Sequence, residues 1–147
     1  MTASVVVVGD DGSDGARHAV EWAARTAASS GAELRIVHAV GLLEHAGLAG
    51  AATVDGAEAI ARATSTGLER RRVHWSVEDG DPCTVLLRAA DEARGDGTTV
   101  LLVVGSRGAG GHTGTLLGST SLELAEHSPV PVTIVPLHGR AGDAAGR

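Results

Sequence analysis

Four consecutive valines, Val5–Val8, closed by Gly9, constrain this chain more than any other feature. A strand that is apolar at every position, rather than at alternate ones, has both faces covered, as in a parallel sheet held between helices. A second such segment, Thr98 to Val104, is the most hydrophobic of the chain and reads as another central strand.

Between them the pattern alternates. Asp10 to Asp14 is a turn rich in helix N-cap residues. Helical spacing follows, with Ala16, Ala19, Val20, Ala23 and Ala27 on one face and Arg17, Glu21 and Arg25 on the other. Ser29-Ser30-Gly31 ends that helix, and Leu34 to Val40 reads as the second strand, completing one βαβ unit. Gly41 to Gly56 is a Gly/Ala-rich connection of weak periodicity; Ala57, Ile60, Ala61 and Leu68 suggest a helix whose start is not marked. Val73 to Val77 alternates and suits a sheet edge. Asp79-Gly80-Asp81-Pro82 is a turn, with Pro82 suited to the first turn of a helix that buries Val85, Leu86, Ala89, Ala90 and Ala93. A Gly-rich loop, a short helix through Leu122 and Ala125, and a last strand from Val130 to Val135, interrupted by Pro131, complete the series.

Strands alternating with helices predict a parallel α/β sheet with right-handed crossovers, five strands and four helices in all. The 147 residues fit a single domain, placed at 1–137, with 138–147 expected as a disordered tail. Two connections at the carboxyl ends of strands are dense in Gly and polar residues, Gly9–Gly15 and Gly105–Ser119. Ligands of open parallel sheets bind where the strand order reverses, and these loops meet there if strands 1 and 4 are neighbours.

Absences narrow the chemistry. The chain has no Lys, so a Walker-type phosphate loop, a protein kinase and Schiff-base chemistry are excluded. Its net charge of −6 and its two Trp, with no Phe or Tyr, argue against nucleic-acid binding. Cys83 stands alone, which excludes an intrachain disulfide or a Cys-based zinc site. Apolar runs fall well short of the about 18–20 residues that cross a bilayer, and no basic segment precedes the first Val run. A cytoplasmic protein without membrane partners is therefore expected.

The loop after the fourth strand carries the strongest signal. Six of the fourteen positions from Gly105 to Gly118 are glycine, so backbone N–H groups can turn inward and a phosphate can approach closely. Ser119, Thr120 and Ser121 open the next helix, where N–H groups and the positive dipole end favour an anion. Arg107 adds a planar cation. The bland alternative is a flexible loop with Ser119 as a helix cap.

The spacing of Gly105, Gly108, Gly118 and Ser119 matches G-x2-G-x9-G-[S/T], and with it the chain resembles the nucleotide-binding universal stress proteins. The Val-rich opening with Asp11-Gly12-Ser13, the Leu34–Val40 strand, the Gly80-Asp81-Pro82 turn and the Pro129–Val135 segment agree; Gly41–Arg72 has no clear counterpart. The resemblance implies a Rossmann-like, adenine nucleotide alpha hydrolase-like three-layer domain of strand order 3-2-1-4-5, with an adenine nucleotide at the β1/β4 junction. It would place Gly9, Asp10 and Asp11 on the first loop, Asp11 toward the ribose. Ala39 and Val40 would border the adenine with Val104 beneath; Gly105, Arg107 and Gly108 would lie along the phosphates, and Gly118, Ser119 and Thr120 would close over them. ATP, with or without Mg2+, is the ligand favoured, and cyclic AMP the alternative. A homodimer is expected through the fifth strand, at Val132, Thr133, Ile134 and Val135. Asp10 departs from the family's apolar residue or Thr: it could repel a triphosphate or help hold a bridging divalent ion, but an outward, solvated carboxylate is the reading favoured.

None of the seven histidines shows HExxH spacing, so no metal site is expected. His38, near the adenine edge, and His112, in the glycine loop, are read as structural or solvent-facing, and His127 suits a helix C-terminus. Cys83 is read as a quiet thiol, Trp22 and Trp75 as packing residues, and Arg70-Arg71-Arg72 as a solvated helix end. No Gly-x-Ser-x-Gly elbow exists and no base stands beside Ser119, so a non-enzymatic regulatory module is expected. The alternatives are an ATP-using enzyme and a nucleotide-free dimeric adaptor.

Overall fold

A computed structural model describes residues 4–41, 54–106 and 117–137. The elements among them are β1 (Val5–Gly9), α1 (Asp14–Ser30), β2 (Glu33–Val40), α2 (Gly56–Thr64), β3 (Val73–Asp79), α3 (Pro82–Ala93), β4 (Val100–Gly105), α4 (Ser119–His127) and β5 (Val132–Val135). All strand pairs are parallel and the order is β3-β2-β1-β4-β5, as expected.

The two central strands bury both faces. Val6 and Val8 point to one side with Leu34, Ile36 and Val103, where α1 and α2 cover them. Val5 and Val7 point to the other with Val37, Leu102 and Val104, beneath α3 and α4. Small side chains make this fit: Ala19, Ala23, Ala24 and Ala27 of α1 are fully buried, so the helix lies close on the valine surface. Each buried Val contributes about 1.5–3 kcal/mol.

Local chemistry sets the ends. Ser13 caps α1 by accepting from the Ala16 amide at 3.2 Å, and Gly31 ends it in the left-handed region at φ 76°. Asp55 caps α2, the start that the Gly/Ala-rich sequence left unmarked. Asp81 caps α3 through the Thr84 amide at 3.1 Å, with Pro82 in the first turn. Hydrogen bonding from Thr84 holds the Asp81 carboxyl below its ordinary range. β5 starts only after Pro131, whose ring cannot donate to the ladder.

The arginine run is a solvated helix end at Arg70 and Arg71, which are exposed, but not at Arg72, which is half-buried. Residues Arg70–Arg72 form a 3-10 turn, and Arg72 reaches back 45 residues to Ala27 of α1 and 40 to Ala32, just past the end of that helix. Its Nη2 donates to the carbonyls of Ala27 and Ala32, both at 2.6 Å, and its Nε to Ala32 at 3.0 Å. The last carbonyls of a helix need such donors, and a cation complements the negative dipole end. Trp22 and Trp75 pack on the α1/α2 side of the core, and Trp75 lies against Gly56, where any Cβ would come within 2.7 Å of the ring. Cys83 is buried, and that burial, with Glu123 nearby, pushes its thiol pKa up to about 11.

Candidate nucleotide-binding crevice

The register of the sheet brings the two polar loops together. Val8 of β1 is level with Val103 of β4, so Asp10 stands level with Gly105 and both strands leave the sheet side by side. β2 runs farther: Val37 pairs with Gly9, leaving Ala39 and Val40 beyond the end of β1 as a side wall. The Val40 carbonyl accepts from Gly80 at 3.1 Å, fixing that wall to the turn after β3.

Close backbone contact explains why Gly105 is glycine. A Cβ there would lie 2.8 Å from the Gly15 carbonyl oxygen and 2.9 Å from its carbon, so the end of β4 rests directly on the first turn of α1. Gly9 faces the other way, with Leu86 of α3 filling the space a side chain would need. The side chain of Val104 belongs to the α3/α4 core, so this residue borders the crevice with its main chain.

The glycine loop is closed at its base. The Gly118 amide donates to the Ser106 carbonyl at 2.6 Å, and the buried Ser121 hydroxyl donates to the Gly105 carbonyl at 2.6 Å. Ser106 itself donates its amide to Val135 at 3.0 Å and accepts from the Leu137 amide with its hydroxyl at 3.3 Å. Gly118 is the N-cap of α4, with Ser119 exposed and Thr120 half-buried in the first turn, where amides have no intrahelical partner. Arg107, Gly108 and His112 lie outside the described residues, as do His45 and His138.

Asp10 corrects the expectation of an outward, solvated carboxylate: it is only 7% exposed. Its amide still pairs with the Val37 carbonyl at 2.9 Å, continuing the β1–β2 ladder by one residue. That places the side chain on the α1/α2 face, where Oδ1 accepts from the Gly12 amide at 2.9 Å. Gly12 closes this turn at φ 79°, a conformation that favours glycine. Asp11 is exposed, with Oδ1 accepting from the Ser13 amide at 3.0 Å.

A cavity of about 40 Å³ adjoins this turn on the α1/α2 side, lined by Asp10, Gly12, Arg17, Glu58 and Arg62 among others. It abuts the β1/β4 gap rather than coinciding with it. Arg17, Glu58 and Arg62 of this lining belong to an ion-pair chain across two helices that sequence reasoning missed: Arg17 bonds Asp14 at 3.0 Å and pairs with Glu58 at 3.7 Å, and Arg62 bonds Glu21 at 3.1 Å and Glu58 at 2.9 Å. Burial opposes the Arg62 charge, yet its bonds to Glu21 and Glu58 together raise its pKa. Among the described residues no group of three or more His, Cys, Asp or Glu could hold a metal ion, and no helix is long and apolar enough to cross a membrane.

Known proteins of this architecture bear on the assignment. A Universal stress protein of Mycolicibacterium smegmatis is 33% identical over 137 residues, and one of Mycobacterium tuberculosis 31% identical over 144. Each alignment takes in 88% of this chain but only 45% and 46% of the relative, so the chain spans about half the length of the curated relatives it matches. A universal stress protein solved in complex with cAMP is 35% identical, with a TM-score of 0.69 over 92% of this chain and 98% of that one. Another, from Archaeoglobus fulgidus, is 32% identical with a TM-score of 0.63, covering 90% of this chain and 44% of that one. The profile of the Universal stress protein family matches residues 3–136, and the chain belongs to that family.

Proposed function

We propose that this chain is an adenine-nucleotide-binding regulatory module that takes ATP where β1 and β4 end side by side. The observation that carries this reading is the contact of Gly105 with Gly15, which brings the first loop and the base of the glycine loop to one crevice. An anion there meets the first-turn amides of α4, and the family resemblance assigns Arg107 and Gly108 to the phosphates as well. Asp11 offers a carboxylate to ribose hydroxyls, and Ala39 and Val40 offer an apolar edge to the base. In this reading binding is the function, and hydrolysis is at most incidental.

Mg2+ belongs to this reading only as a companion of the triphosphate. Asp10 has one carboxylate oxygen engaged by Gly12, and among the described residues it is not part of any cluster that would hold a cation by itself. Cyclic AMP is the second reading, favoured by the 35% identical structure solved with it. The regulatory unit is a homodimer in this proposal, joined through the outer edge of β5 at Val132–Val135, where the sheet of this chain stops.

Calorimetry with ATP, ADP, AMP and cyclic AMP, each with and without Mg2+, tests the proposal. Saturable ATP binding that is lost in Gly118→Val supports it. The backbone of Gly118 has φ −71°, which valine adopts, so that substitution blocks close approach without straining the turn. Heat with cyclic AMP alone selects the second reading. No heat with any nucleotide leaves a dimeric adaptor acting through protein contacts, and sedimentation of a β5-edge variant then tests the dimer by itself.

A further inference from the structure

β2 grips one peptide unit at the point where β1 leaves the sheet. The Asp10 amide donates to the Val37 carbonyl at 2.9 Å, and the Asp10 carbonyl is met by Nδ1 of the next residue, His38, at 2.8 Å. A carbonyl only accepts, so Nδ1 carries a proton and donates. The Asp10 carboxylate is held in turn by the Gly12 amide, so the residues on both sides of Asp11 are fixed.

The peptide between Asp10 and Asp11 is planar and trans, and its C=O and N–H point in opposite directions. Holding the Asp10 oxygen against His38 therefore turns the Asp11 N–H away from His38. A side chain of β2 thus sets the orientation of an amide on the loop that faces the crevice. We infer that His38 is a positioning residue for the nucleotide site: its Nδ1–H fixes the Asp10–Asp11 peptide, and with it the amide and carboxylate that Asp11 presents to the ligand. This role rests on the nucleotide reading above and adds to it a residue that touches no ligand.

Three variants separate position from mere presence. In asparagine the amide nitrogen lies about where His Nδ1 does, whereas in glutamine it lies nearer the place of Nε2. Expected are ATP affinities within about twofold of the parent for His38→Asn, and roughly tenfold weaker for His38→Ala and His38→Gln, the equivalent of one net hydrogen bond. A purely structural role would lower melting temperatures without ranking the affinities by donor position. Nuclear magnetic resonance of the nucleotide-free protein gives a second readout: a proton on His38 Nδ1, and an Asp11 amide signal that shifts in His38→Ala and His38→Gln but stays in His38→Asn. A neutral ring protonated only on Nε2, or equal ATP affinity in His38→Asn and His38→Ala, overturns the inference. Absence of nucleotide binding by the parent protein overturns the nucleotide reading instead; the Asp11 amide signal still shows whether His38 holds the peptide.

Discussion

Gly105, the last residue of β4, and Gly15, in the first turn of α1, touch through backbone alone, with 2.8 Å between an added Cβ on Gly105 and the Gly15 oxygen. Neither partner can move aside by a rotamer change. Gly105→Ala is expected to destabilise the fold by about 1–3 kcal/mol in urea denaturation. Gly9→Ala meets only the flexible end of Leu86, at 2.9 Å, so pairing it with Leu86→Val restores most of the loss. A Gly105→Ala protein as stable as the parent would refute the close contact.

Ser121 holds the base of the glycine loop from inside the core, its hydroxyl on the Gly105 carbonyl. Ser121→Ala leaves that carbonyl without this donor and is expected to cost about 1–3 kcal/mol. Hydrogen exchange at the Gly118 amide should also accelerate. Unchanged exchange there would show that the loop is closed by other means.

Arg72→Met keeps much of the side-chain length but removes three hydrogen bonds to the end of α1 and the Ala32 carbonyl. Bonds from a charged donor are worth more than neutral ones, and a loss of about 2–3 kcal/mol is expected. Nucleotide affinity should not change, because these carbonyls lie at the opposite end of α1 from the crevice. Calorimetry and thermal unfolding on one sample check both halves.

Asp81→Ala removes the α3 cap, with an expected cost of about 1 kcal/mol at neutral pH. The native carboxyl titrates below its unfolded range, so its contribution is present above that range and fades as pH falls through the native value. The difference between parent and variant should therefore shrink in acid. A constant difference from pH 7 to 2 would contradict the assignment.

Cys83 should resist alkylation at pH 8 in the folded protein and react promptly in denaturant. Desolvation, then Glu123, raises its pKa to about 11, so the folded state holds this proton more tightly than the unfolded chain does. Stability from this source is complete below the usual thiol range and declines as pH rises toward about 11. Cys83→Ala should flatten that part of the pH profile.

Much of the fold was legible because β1 and β4 are apolar at every position and alternate with helical spacing, a combination that fits a parallel sheet covered on both faces. The start of α2 was not: from Gly41 to Gly56 the chain is rich in Gly and Ala, and nothing in that spacing separates helix from loop before the Asp55 cap. The inward Asp10 was misread because an Asp beside an Asp in a turn ordinarily faces water; only the ladder bond to Val37 shows which way the side chain must point. Arg72 and His38 were hidden for a shared reason. Their partners lie 45 and 28 residues away, and a side-chain bond across such distances leaves no periodic trace.

Ser106 knots three backbone segments together: its carbonyl holds Gly118, its amide holds Val135 and its hydroxyl holds Leu137. The doorway of the crevice and the outer rim of the sheet are thus hinged on a single residue. Any shift of the doorway pulls on that rim, so the two surfaces cannot be redesigned independently of each other.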